Sequence, residues 1–148
     1  DTIYIWEGVP QSTESPTYSF KNLPNLGRID MSDTHLAIGC YPGGSSFKVL
    51  ELSSLNSPSY KVIPGQDCPS EVSFSDKGFF IPGDDKIIGW NSINDALAGS
   101  SPTMSFGGKT DKTNMGTKMA AGIGWDGYHF WVGEYKFSNR LLGFAPSK

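Results

Sequence analysis

The chain has 148 residues, 13% of them aromatic and 18% charged, a composition that folds and excludes a disordered segment. The net charge is −3 and the twelve basic residues are scattered with no basic run, which excludes capture of nucleic acid or of an anionic membrane by charge. No apolar segment approaches the roughly 18 to 20 residues that cross a bilayer, so no membrane span is expected.

The 18 glycines and 10 prolines fall between short apolar runs, with no collagen-like period and no long helical pattern, which predicts an all-β fold. In chain order, the first expected strand is Ile3-Tyr4-Ile5-Trp6, followed by Ser15-Pro16-Thr17-Tyr18-Ser19-Phe20. A hairpin is predicted from residues 27–32 and 35–39 around Asp33-Thr34, then strands at Val49-Leu50-Glu51-Leu52 and Ser57-Pro58-Ser59-Tyr60-Lys61-Val62. A second hairpin joins residues 71–75 and 78–81 around Asp76-Lys77 and leads to Ile87-Ile88-Gly89-Trp90. Residues 91–99 read as a helix of one or two turns, with Ser92 as cap, Asp95 three residues later and Gly99 as terminator. After Ser101-Pro102-Thr103-Met104-Ser105-Phe106 comes a third hairpin, residues 120–125 and 128–133 around Asp126-Gly127, and then Leu141-Leu142-Gly143-Phe144. Each hairpin turn carries an aspartate able to hydrogen-bond its own backbone.

These elements repeat. The three Ser-Pro phrases place their prolines 42 and 44 residues apart, and from Trp6 to Phe144 the large apolar strand recurs with a mean spacing of 46 residues. Four short antiparallel strands in a period of 40 to 50 residues make up a β-propeller blade. Phe130-Trp131-Val132-Gly133 and Asn139-Arg140-Leu141-Leu142 are the segments most similar to NHL-type propeller repeats, and in this respect the whole chain resembles that family. The middle repeat departs from the pattern: Ile81-Pro82-Gly83-Asp84-Asp85-Lys86-Ile87 stands in the equivalent stretch without the Asn-Arg pair. A β-sandwich is the competing architecture, and three copies of the Ser-Pro phrase argue against it.

The resemblance implies one propeller segment over residues 1–148, with repeats at approximately 3–46, 47–85 and 86–144. The count is thirteen strands, beginning on the third strand of one blade and ending on the third strand of another, so about three blades form an incomplete ring. Open blade faces are apolar, which predicts completion by another protein chain or by a second propeller segment. The chain opens on Asp1 without a leader, which fits a mature secreted product as well as a proteolytic boundary.

Cys40 and Cys68 are expected at strand ends on the same face of the disc, close enough to bridge. Such a disulfide closes a loop of about 28 residues, contributes roughly 3 to 4 kcal/mol on the loop-entropy estimate, and suits an extracytoplasmic compartment, secreted or periplasmic. His35 and His129 hold equivalent repeat positions on the opposite face, which marks them as building residues and leaves no Cys/His zinc cluster. Nucleophile elbow, metalloprotease helix, phosphate loop and dinucleotide fingerprint are all missing, and Gly107-Gly108-Lys109-Thr110 reads as a turn. No catalytic residue is assigned. The candidate metal ligands are the loop carboxylates Asp67, Asp84, Asp85, Asp111 and Glu134, whose oxygens suit calcium, although solvation is the simpler role for each.

Two functions follow as expectations. The first is a non-catalytic extracytoplasmic interaction or scaffold module, part of a larger propeller or oligomer. The alternative is a propeller enzyme, a calcium-assisted hydrolase or lyase, with carboxylates on the loop face.

Overall fold

The computed structural model describes residues 2–21, 26–40, 47–66, 69, 71–82, 86–107, 120–134 and 141–145, with residues 120, 121 and 134 described by backbone alone. The described residues form four antiparallel sheets that succeed one another along the chain. The first pairs β1 (Ile3–Ile5) with β2 (Tyr18–Phe20). The second runs in the order β3 (Leu26–Met31), β4 (His35–Cys40), β5 (Lys48–Glu51) and β6 (Tyr60–Lys61). The third comprises β7 (Ser73–Ser75), β8 (Gly78–Pro82), β9 (Ile87–Trp90) and β10 (Met104–Phe106), and the fourth β11 (Ala120–Trp125), β12 (Phe130–Glu134) and β13 (Leu141–Phe144). In every sheet each strand pairs with its sequence neighbour, so each is a meander built from local connections.

The sheets are joined by three apolar clusters. Ile3 and Phe20 of the first sheet pack with Leu36, Ile38 and Leu50 of the second. Ala37 and Val49, on the other face of the second sheet, pack with Phe79, Ile81, Ile88 and Trp90 of the third. Phe80 and Ile87 turn the opposite way and meet Phe130 and Val132 of the fourth. Because side chains alternate across a strand, a sheet covered on both faces needs consecutive apolar residues. β4 and β8 meet that requirement: all six residues of β4 are buried, as are Phe79, Phe80 and Ile81.

The short helix α1 (Ile93–Leu97) sits between β9 and β10, where the Ser92 hydroxyl accepts the Asp95 N–H and in turn donates to the Asp95 carboxylate. Its Ile93 and Ala96 extend the central cluster beside Trp90. Trp90 is buried, and its indole N–H donates to the Ser100 carbonyl at 2.7 Å.

Pairing register corrects two sequence expectations. The partners Leu36 and Leu50, Phe79 and Trp90, and Phe130 and Phe144 make Leu50, not Leu52, the counterpart of Trp90 and Phe144. Leu52 has left the strand and begins a 3-10 turn over Leu52–Ser54. The hairpin turns align in the same way as Ser32, Ser75 and Asp126. Ser32 Oγ accepts the N–H of Thr34 and His35, and Ser75 Oγ that of Lys77, so in the first two turns the serine before the aspartate closes the turn. Only in the third does an aspartate do so, with Asp126 Oδ1 accepting from Tyr128 and His129 at 2.7 Å each.

Candidate functional site

β7 lies against both β3 and β11, so the first strands of three successive sheets stand side by side. Their register sets residues in rows. Asp30, Ser73 and Gly124 are equivalent, each two residues before the turn residue Ser32, Ser75 or Asp126, and Arg28, Glu71 and Gly122 lie two residues further back. The first two segments carry polar side chains at these positions, Glu71 just ahead of β7, whereas the third carries glycine at both. A Cβ built on Gly122 or Gly124 meets nothing within 4 Å. The three strand segments border a cleft of about 460 Å³, lined also by Ile29, Val72, Phe74, Ile123 and Trp125.

The acidic groups of the cleft are engaged, Glu71 by a side chain and Asp30 by backbone N–H groups. Glu71 is 7% exposed, and its Oε1 lies 3.4 Å from Nε of Arg28, whose side chain remains 69% exposed. Burial raises the Glu71 carboxyl above the usual glutamate range, and the Arg28 guanidinium opposes that rise. The Asp30 carboxylate accepts the N–H of Met31 at 2.9 Å through Oδ1 and that of Phe74 at 2.7 Å through Oδ2. Trp125 forms the aromatic part of the wall, its ring centroid 4.5 Å from that of Phe130.

The expected site residues are distributed differently. Asp67, Asp84, Asp85, Asp111 and Cys68 lie outside the described residues, as do residues 108–110 of the glycine-rich turn. Glu134 ends β12 opposite Ala120, and its side chain is not described. Among the described residues no group of three or more His, Cys, Asp or Glu side chains is placed to hold a metal ion. Cys40 is buried at the end of β4, and its N–H donates to the carbonyl of Pro69, the residue that follows Cys68, at 2.8 Å.

The two histidines share a register position but not an environment. His35 is 5% exposed, its Nδ1 sits 2.9 Å from Thr34 Oγ1, its Nε2 has no hydrogen-bond partner among the described residues, and burial lowers its pKa. His129 is exposed, with Nδ1 3.6 Å from Asp126. No helix among the described residues is long and apolar enough to cross a membrane.

A second surface lies on the outward face of the fourth sheet. The Trp131 indole rests over Gly143, where an added Cβ would come within 3.0 Å of the ring, and its N–H donates to Asp126 Oδ2 at 2.7 Å. Trp131 is 37% exposed and Leu141 66%. On the outward face of the first sheet Tyr4 is 54% exposed, with its ring 6.1 Å from that of Trp6.

Sequence reasoning passed over the cleft because Arg28, Asp30, Glu71 and Ser73 look like the solvent side of alternating strands. The signal was present in the register, which sets two glycines of β11 level with four polar side chains. No family model, curated protein or solved structure matches this chain.

Proposed function

We propose that the chain is a non-catalytic interaction module: the four sheets are blades of an incomplete NHL-like propeller arc, and a further polypeptide segment covers its two end sheets. The observation that carries the reading is the contrast between inner and end sheets. β4 and β8 are apolar on both faces and covered on both, whereas the outward faces of the first and fourth sheets present Tyr4, Trp131 and Leu141 to water. Covering apolar surface of this kind contributes roughly 25 cal/mol per Å², so a matching sheet is favoured there. The immobilised indole of Trp131, held by Asp126 and spread on Gly143, suits an interface because it loses little freedom on binding.

An extracytoplasmic location and a bridge between Cys40 and Cys68 belong to the same reading. The Cys40 N–H bond to Pro69 supports them by bringing the neighbouring chain position alongside β4. Sedimentation equilibrium tests the proposal. The protein is expected to run as a self-associated or partner-bound species in which Trp131→Glu lowers association at least tenfold. A mass of 16.1 kDa at all concentrations, with no partner segment able to shift it, contradicts the proposal.

A further inference from the structure

We propose that His35 is an acid-sensitive latch: a proton on its buried imidazole releases the turn between β3 and β4 and loosens the junction of the second and third sheets. The latch is independent of how the end sheets are covered, because His35 belongs to an inner sheet.

Position is the first argument. His35 stands opposite Glu51 of β5, and two residues further along the ladder Ala37 stands opposite Val49. Residues two apart on a strand share a face, so the imidazole is on the face that Ala37 and Val49 turn toward Phe79 and Trp90 of the third sheet. Only 5% of His35 is exposed.

Hydrogen bonding is the second argument. A neutral imidazole has one N–H and one acceptor nitrogen, whereas the charged ring has two N–H groups to satisfy. Nδ1 has Thr34 Oγ1 at 2.9 Å. Nε2 is shut off from solvent and has no partner among the described residues, so the charged ring holds a buried N–H that donates to nothing. Turning the ring out to water relieves it. That movement uncovers the turn, where Ser32 Oγ accepts the N–H of Thr34 and His35 and the Thr34 carbonyl accepts from Leu52 at 2.9 Å.

The surrounding charges are the third argument. Glu51 favours the proton and Lys61 opposes it, and these two are ion-paired with each other. On the same sheet Asp30 is held by backbone N–H groups and Asp33 is exposed in the turn. On the facing sheet and α1, Glu71 is held by Arg28, Asp76 by Lys77 at 3.1 Å and Asp95 by the Ser92 hydroxyl, and Lys86 is exposed. Burial outweighs Glu51 and sets the ring's pKa below the ordinary 6.5. The unfolded chain therefore takes the proton first, so this contribution to stability is complete above 6.5 and is withdrawn as the pH falls below it.

The test is NMR of the full chain from about pH 7.5 to about pH 5, following the His35 ring and amide hydrogen exchange. The ring is expected to titrate below 6.5, and the Leu52 and Phe74 amides to lose protection severalfold over that range after correction for intrinsic exchange. His35→Phe keeps a ring that takes no proton and should hold that protection constant; Glu71 and His129 are common to both proteins. Glu51→Gln removes the carboxylate that favours the proton, should move the His35 midpoint to lower pH, and keeps the test valid if His35→Phe does not fold. The proposal is overturned by a His35 midpoint at or above 6.5, by protection that does not change in the wild type, or by the same loss in His35→Phe.

Discussion

Asp30 and Phe74, 44 residues apart, are joined by a 2.7 Å hydrogen bond from the Phe74 backbone N–H to Asp30 Oδ2. The bond ties β3 to β7 and so links the second sheet to the third at their inner edge. Asp30→Ala leaves a part-buried amide without its acceptor and is expected to cost about 1 to 3 kcal/mol in denaturant unfolding. Asp30→Asn keeps an oxygen in place and should cost less. Equal losses for the two variants would show that the bond does not join the sheets.

Trp90 carries the central cluster. It is 1% exposed, its ring lies 6.2 Å from that of Phe79, and its N–H reaches the Ser100 carbonyl. Trp90→Ala is expected to cost about 3 to 5 kcal/mol and Trp90→Phe less, as read by the unfolding midpoint. Gly78 tests the same junction from the backbone. Its φ is +136°, and an added Cβ would overlap the Trp90 carbonyl oxygen, so Gly78→Ala should destabilise, while Gly127→Ala, with open space around it, should destabilise less.

Asp126 gives the molecule a specific acid response. The Trp131 indole N–H and the backbone N–H groups of His129 and Tyr128 hold its carboxyl down to about 2, from an ordinary value of 3.8. A carboxyl depressed on folding contributes stability that is complete above its unfolded value and is withdrawn as the pH falls through its folded value. The indole N–H resonance of Trp131 should therefore hold steady from neutral pH through 3.8 and shift with a midpoint near about 2. A midpoint at or above 3.8, or the same shift in Asp126→Asn, would contradict the assignment.

The proposed bridge between Cys40 and Cys68 predicts that free-thiol titration of the denatured, unreduced protein finds neither cysteine reactive. Two titratable thiols would remove both the bridge and the reason for placing the protein in an oxidising compartment.

Strands were the most legible part of the sequence, because alternation and turn residues act over a few positions. Ile87–Trp90 and Leu141–Phe144 stand where the pattern put them, and Ser92 caps α1 as its spacing implied. Register was less legible. The substitution of Ser32 and Ser75 for Asp126 at the turn position displaced the alignment, and the β-bulges between Leu26 and Ile29 and between Ala120 and Gly122 interrupt the count within the first strands. The cleft escaped for a related reason. It depends on three strands from different sheets meeting along their inner edges, and nothing local to Arg28 or Glu71 announces that Gly122 and Gly124 will lie beside them.

An experimental structure of the associated form tests the completed arc most directly. The account predicts that the outward faces carrying Tyr4 on the first sheet and Trp131 with Leu141 on the fourth are covered by strands of a further polypeptide segment, in one continuous circular arrangement of sheets. Outward faces that meet only water in the functional protein, or first and fourth sheets that close directly on each other as a sandwich, would contradict it.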